Sequence, residues 1–113
     1  MLEQEIVNLL VAELNAEERA GGVVYLAAPP VDGGTHLEFP RLEIEVPSRA
    51  WLAFIDGKPN HDWGHPCRYL LIDDVTGRVQ SYPAQFPPFR PSAPWHWRVV
   101  YMAPTLPGTT ATA

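Results

Sequence analysis

Hydrophobic positions in residues 2–20 recur with a helical period. Leu2, Ile6, Leu9, Leu10 and Leu14 form one stripe, with Val7 and Val11 beside it. That spacing predicts an amphipathic helix whose apolar face covers a core. Glu3 and Glu5 fall in its first turn, where the helix dipole favours negative charge, and Gly21 and Gly22 stop it. Asn15 offers an interruption, because Asn15-Ala16-Glu17-Glu18 also reads as a fresh N-cap followed by acidic residues.

After the glycines the period changes to two. Residues 23–28 are a short β-branched run, and residues 35–39 can return as a strand after the turn residues Asp32, Gly33 and Gly34. Residues 41–46 alternate strictly: Leu42, Ile44 and Val46 on one side, Arg41, Glu43 and Glu45 on the other. Such a strand has one buried face and one solvated face. Residues 51–56 (WLAFID) and 69–73 are more continuously apolar and fit central positions. Asp73-Asp74-Val75-Thr76-Gly77-Arg78-Val79 is a hairpin signal, with Gly77 at the left-handed position and residues 79–82 pairing back. Residues 95–102 add a final strand, with Trp95, Trp97, Val99 and Tyr101 expected on one face.

These elements predict an α+β fold: one N-terminal helix packed on a mostly antiparallel sheet of four to six strands. Leu42, Ile44, Trp51, Phe54, Tyr69, Leu71 and Val79 are the expected core, with Ile6, Leu10 and Leu14 facing them. Residues 1–104 read as one domain and 105–113, small and polar, as a flexible tail.

Composition adjusts this picture in three places. Proline, at 13 of 113 residues, concentrates in 83–94, which excludes helix and central strand there and predicts a stiff, extended C-terminal extension. A net charge of −5 with singly scattered basic residues argues against nucleic acid or an anionic membrane as partner. A single cysteine excludes an internal disulfide. No apolar run approaches the roughly 18 residues of a membrane span, and the acidic start has no signal-peptide pattern, so a cytoplasmic location is the expectation.

Candidate chemistry gathers in residues 57–67. His61, Asp62, His65 and Cys67 are ligand types suited to zinc, and His96 could join from the last strand. The pattern has one thiol and neither a CxxC nor an HExxH spacing, so the loop reads as structural, with Pro66 setting its path and His65 bonded to backbone or to Asp62. Cys67 follows His65 by two residues but starts a strand rather than a helix, which suits a small buried thiol better than a nucleophile. Asp73 and Asp74 suit turn capping, and Glu43 and Glu45 share a solvated face. No enzymatic activity, cofactor or metal is therefore expected. Trp63, Phe89, Trp95, Trp97 and Arg98 lie in or beside the proline-rich stretch and the loop; aromatic and arginine side chains beside rigid prolines suit a protein interface.

At residues 41–82 the chain resembles a family. RYLLIDDVTGRVQSY resembles the closing motif of PepSY-type domains, a hydrophobic strand, an Asp, a Thr-Gly turn and a valine strand, and AWLAFID resembles their middle strand. WGHPCRYLLID is similar to segments of bacterial modules attached to caspase-like or legumain-like peptidases. The resemblance implies a helix-on-sheet fold that binds or restrains a partner, often a peptidase, and carries no catalytic residues. The loop at 57–67 and the proline-rich extension depart from that pattern. The expected function is a non-enzymatic protein-binding module, an inhibitory or accessory partner of a peptidase. The alternatives are a self-associating subunit that pairs its final strand with a second copy, and a small metal-binding protein built on His61, His65 and Cys67.

Overall fold

The computed structural model describes residues 1–59, 64–87 and 96–104. The elements are α1 (Glu3–Glu13), α2 (Ala16–Gly21), β1 (Val23–Ala28), β2 (His36–Phe39), β3 (Leu42–Glu45), β4 (Ala50–Asp56), β5 (Cys67–Asp73), β6 (Val79–Ala84) and β7 (His96–Met102). Five strands form an antiparallel sheet in the order β6-β5-β4-β1-β7, and β2 and β3 form a separate two-stranded hairpin. The N-terminal helical segment packs on one face of the sheet. Among the described residues no helix is long and apolar enough to cross a membrane.

The helical segment breaks at Leu14, whose backbone is extended. Asn15 is the cause. Its side chain accepts from the Glu18 N–H at 2.8 Å, and the Glu18 carboxylate accepts from the Asn15 N–H at 3.0 Å. This reciprocal cap starts α2 and satisfies two donors that a new helix end would otherwise leave open. The helix-to-strand turn at Gly22 is tight: a Cβ there would lie 2.6 Å from the Glu18 carbonyl oxygen and 3.0 Å from that of Asp56.

Every residue of β4 is buried, so the sheet has two dry faces. Strand alternation sorts the core between them. Trp51, Ala53 and Ile55 of β4, Leu70 and Ile72 of β5, and Val24 and Leu26 of β1 meet Ile6, Leu10 and Leu14. Leu52, Phe54, Tyr69 and Leu71 point the opposite way, where Leu37, Ile44 and Val46 of the hairpin and its flank cover them. The Tyr69 ring stacks on Phe39 at 4.2 Å between centroids and meets Phe54 at 5.0 Å. The expected core is therefore corrected in its arrangement. Ile44, Trp51, Phe54, Tyr69 and Leu71 are buried, but of these only Trp51 packs with the helix. Leu42 and Val79 are only half-buried, since each begins a peripheral strand.

The β5–β6 hairpin closes as its turn residues dictate. Gly77 sits at φ 74°. Asp73 accepts from the N–H groups of Val75 (2.8 Å) and Thr76 (2.9 Å) and from the Ser48 hydroxyl (2.6 Å). β6 is an edge strand and tolerates Pro83 for that reason. On the other edge, β7 carries a bulge: Val24 faces Tyr101 while Tyr25 faces Val99, leaving Val100 as the extra residue. The face expected to hold Trp97, Val99 and Tyr101 together is thereby split. Trp97 packs with the hairpin-side core, and Tyr101 packs with the helix-side core and donates to the Arg19 carbonyl. Trp95 and the tail 105–113 lie outside the described residues.

Two consequences can be measured. Leu70 and Leu52 are both fully buried, one on each face. Leu70→Ala and Leu52→Ala are each expected to lower unfolding free energy in urea by about 2–5 kcal/mol; a sheet with one solvated face would lose it only at Leu70. Asp73 is the second case. Hydrogen bonds from Ser48, Thr76 and Val75 hold its carboxyl below the ordinary 3.8, at about 2. Its contribution to stability is present in full above the ordinary value and is lost as pH falls through about 2. Asp73→Ala is expected to lower the melting temperature at pH 7, with the gap to the parent chain narrowing as pH falls from 4 towards 2.

Candidate functional site

The chemistry-bearing loop closes on one corner of the sheet, where β4 ends and β5 begins. Asp56 is the last residue of β4 and Cys67 the first of β5. Both Asp56 and His65 are buried, at 8% and 7% exposure. The His65 Nε2–H donates to Asp56 Oδ1 at 2.8 Å, and the Lys58 N–H donates to the same oxygen at 3.0 Å. The His65 backbone N–H donates to the Gln85 carbonyl at 2.8 Å. The imidazole is thus a bracket: its ring holds the end of β4 and its backbone holds the segment after β6. Asp56 is a carboxylate partner of His65, and Asp62 lies outside the described residues.

Cys67 is half-buried beside this pair and packs with the hairpin-side core. Burial pushes its thiol up, and the Asp56 charge pushes it further, to about 11. A thiol so placed stays protonated at neutral pH and is a poor nucleophile and a poor ligand. Among the described residues neither a base nor a helix N-terminus is set against it, and the His65 imidazole serves Asp56.

Arg68 points to the other face and makes the strongest polar joint described. Its Nε and Nη2 donate to Glu18 Oε2 (2.9 Å) and Oε1 (2.8 Å), Nη2 also to the Glu13 carbonyl (2.9 Å), and Nη1 to the Ser81 hydroxyl (3.2 Å). One guanidinium therefore ties the α1–α2 break to β5 and β6. A shallow depression of about 190 Å³ lies beside it, lined by Glu17, Glu18, Lys58, Pro66, Cys67 and Arg68 among others. Its cations are already matched, Arg68 by Glu18 and Lys58 by Glu17 at 3.3 Å.

The remaining sequence candidates separate. His61, Asp62, Trp63, Phe89 and Trp95 lie outside the described residues. Trp97, Arg98 and His96 all lie on β7. Trp97 packs inward, and its Nε1 is buried with no hydrogen-bond partner among the described residues. Arg98 is exposed and pairs with Glu3 of α1. β7 turns His96, Arg98 and Val99 outward, Val99 at 44% exposure, and its far edge has no paired strand among the described residues. Asp56 and Glu18 were not among the sequence candidates. The available signal was chemical: an acid that closes a wholly apolar strand or caps a helix against the core needs a buried partner.

Comparison with protein-family models, with curated proteins and with solved structures found no match.

The site predicts a contrast between two neighbours. His65→Ala removes a partner of a buried carboxylate and is expected to destabilise the chain by about 3 kcal/mol in denaturant unfolding. Cys67 in the intact protein is expected to react with iodoacetamide at pH 7.5 far more slowly than a free thiol, and to reach the free-thiol rate in urea. Fast alkylation without denaturant would contradict the protonated, packed state described here.

Proposed function

We propose that this domain is a non-enzymatic protein-binding module that takes an extended segment of a partner along β7. The observation that carries the reading is the open edge. β7 runs for seven residues, pairs with β1 on one side, and has no strand on its other side among the described residues. Unpaired backbone donors and acceptors on an edge are a template for another strand. The opposite edge, β6, is blunted by Pro83. β7 has no proline, and its exposed Val99 offers apolar contact beside the edge.

The chemistry of the loop corner supports the non-enzymatic half of the reading. The thiol is protonated, the buried imidazole is engaged by Asp56, and the Arg68 guanidinium by Glu18. A peptidase is the partner class that the resemblance of residues 41–82 to PepSY-type modules suggests, with a cytoplasmic setting. The same open edge also fits a second copy of the chain, which makes self-association the competing reading.

The test is capture of a partner from host extract on the immobilised domain, read beside the light-scattering mass of the domain alone. Binding that protects the backbone amides of β7 from hydrogen exchange, and is lost in a folded Val99→Lys variant, is the expected result. A partner that leaves β7 amides unprotected would overturn the assignment of the edge. A homo-oligomer at all concentrations, abolished by Val99→Lys and with nothing captured, would replace it with self-association.

A further inference from the structure

The β2–β3 hairpin has an outer face that the core does not use. Its register sets His36 opposite Glu45 and Glu38 opposite Glu43. Alternation turns Leu37 and Ile44 into the core, at 1% and 2% exposure, and turns His36, Glu38, Glu43 and Glu45 outward together. The imidazole stands among the three carboxylates. Its Nδ1 meets Glu45 Oε1, and its Nε2 lies 2.8 Å from Glu43 Oε1 and 3.6 Å from Glu38 Oε1. Ligand atoms of His36, Glu38 and Glu43 all fall within 4.8 Å of one another.

We infer that this face is a binding site for a divalent transition-metal ion of the zinc class, held by His36 Nε2 and the carboxylates of Glu38 and Glu43. Three features carry this beyond a patch of acids. The central donor is an imidazole, a nitrogen ligand that zinc and its neighbours favour and that calcium and magnesium do not seek. Its other nitrogen is already engaged by Glu45. That is the arrangement that metal-binding histidines use, the carboxylate holding the Nδ1 proton; Nε2 itself hydrogen-bonds Glu43 at 2.8 Å, and the ion takes the place of the Nε2 proton in that contact. Finally, the spacing fits. Tetrahedral bonds of about 2.0–2.1 Å place neighbouring ligand atoms about 3.3 Å apart, and the 2.8 and 3.6 Å separations bracket that value. The carboxylates are exposed, at 77% for Glu38 and 69% for Glu43, so shifts of a few tenths of an ångström meet no packing. The backbone beneath them is fixed by the buried Leu37 and Ile44. One imidazole and two carboxylates leave the remaining position or positions to water. The site is independent of the β7 edge.

Titration of the full chain with ZnCl₂ by calorimetry, and with CoCl₂ by visible absorption, tests the assignment. One ion per chain is expected. Binding should vanish in His36→Ala, weaken at least about tenfold in Glu43→Gln and about tenfold in Glu45→Gln, and persist in His61→Ala and Cys67→Ala. All of the hairpin substitutions are at outward positions, and circular dichroism verifies the fold. On the unsubstituted chain, addition of zinc should shift the His36 ring nitrogen resonances, a readout that needs no variant. No saturable binding up to millimolar zinc would overturn the proposal. So would binding that survives His36→Ala, which would assign the ion to other residues, or a response to MgCl₂ equal to that to ZnCl₂, which would leave the imidazole no role.

Discussion

The structure depends on one constraint: β4 is apolar on both faces and must be covered twice. Every side chain from Ala50 to Asp56 is buried. A strand of that kind cannot sit at an edge or turn one side to water. It takes the middle of the sheet, between β5 and β1, and each face recruits its own cover. The α1 stripe of Ile6 and Leu10, with Leu14 beyond its end, meets one face. The β2–β3 hairpin, too short to stand alone, lays Leu37 and Ile44 on the other. The chain is thus three layers deep, helix, sheet and hairpin, although it has only 113 residues.

Three thin layers leave polar groups near the core, and among the described residues the buried Glu18, Asp56 and His65 each have a partner. Glu18 is the clearest. It caps α2 through the Asn15 N–H and receives a bidentate pair from Arg68, so the carboxylate that defines the helix break also anchors it to β5. Asp56 and His65 do the same for the loop side, and the Trp51 indole N–H reaches Asp74 at 2.8 Å at the other end of β4. Such joints add less net stability than the apolar layers, because each charge loses water when it is buried. Their effect is positional: they fix where the covers sit on a sheet whose apolar faces alone would tolerate sliding.

Local patterns made the elements legible and left their partners unread. The helical stripe, the Asp73–Gly77 turn and the central character of 51–56 and 69–73 are short-range signals, and Asn15-Ala16-Glu17-Glu18 already carried the helix break. The continuous apolar run in β4 gave its central position, but only the helix was expected as a cover, and nothing local said that residues 36–45 cover a second face. The alternation of 41–46 gave a buried side without its counterpart, and so Phe54, Tyr69 and Leu71 were expected against the helix. The bulge at Val100 has no local signature, because it is a property of the β1–β7 pairing. At the corner, His65 was expected to bond backbone or Asp62, and Asp62 lies outside the described residues. The fold brings in Asp56, nine residues away, because the strand end is where an unpartnered carboxylate would be least tolerated. Five of the candidate residues, His61, Asp62, Trp63, Phe89 and Trp95, fall outside the described residues.

The division of chemical labour follows from this geometry. Titratable groups that the core reaches are consumed in joints: Arg68 by Glu18, His65 by Asp56, and Cys67 kept protonated by its surroundings. Such groups are poor reagents, because changing their charge state would loosen the layer that they hold. The groups outside these joints are those that the layering turns outward. One is the backbone edge of β7, which no strand pairs among the described residues. The other is the outer face of β2–β3, which exists because the hairpin needs only its inner side to cover β4. In a domain this thin, the two-sided burial of β4 therefore sets both what is held together and what faces outward.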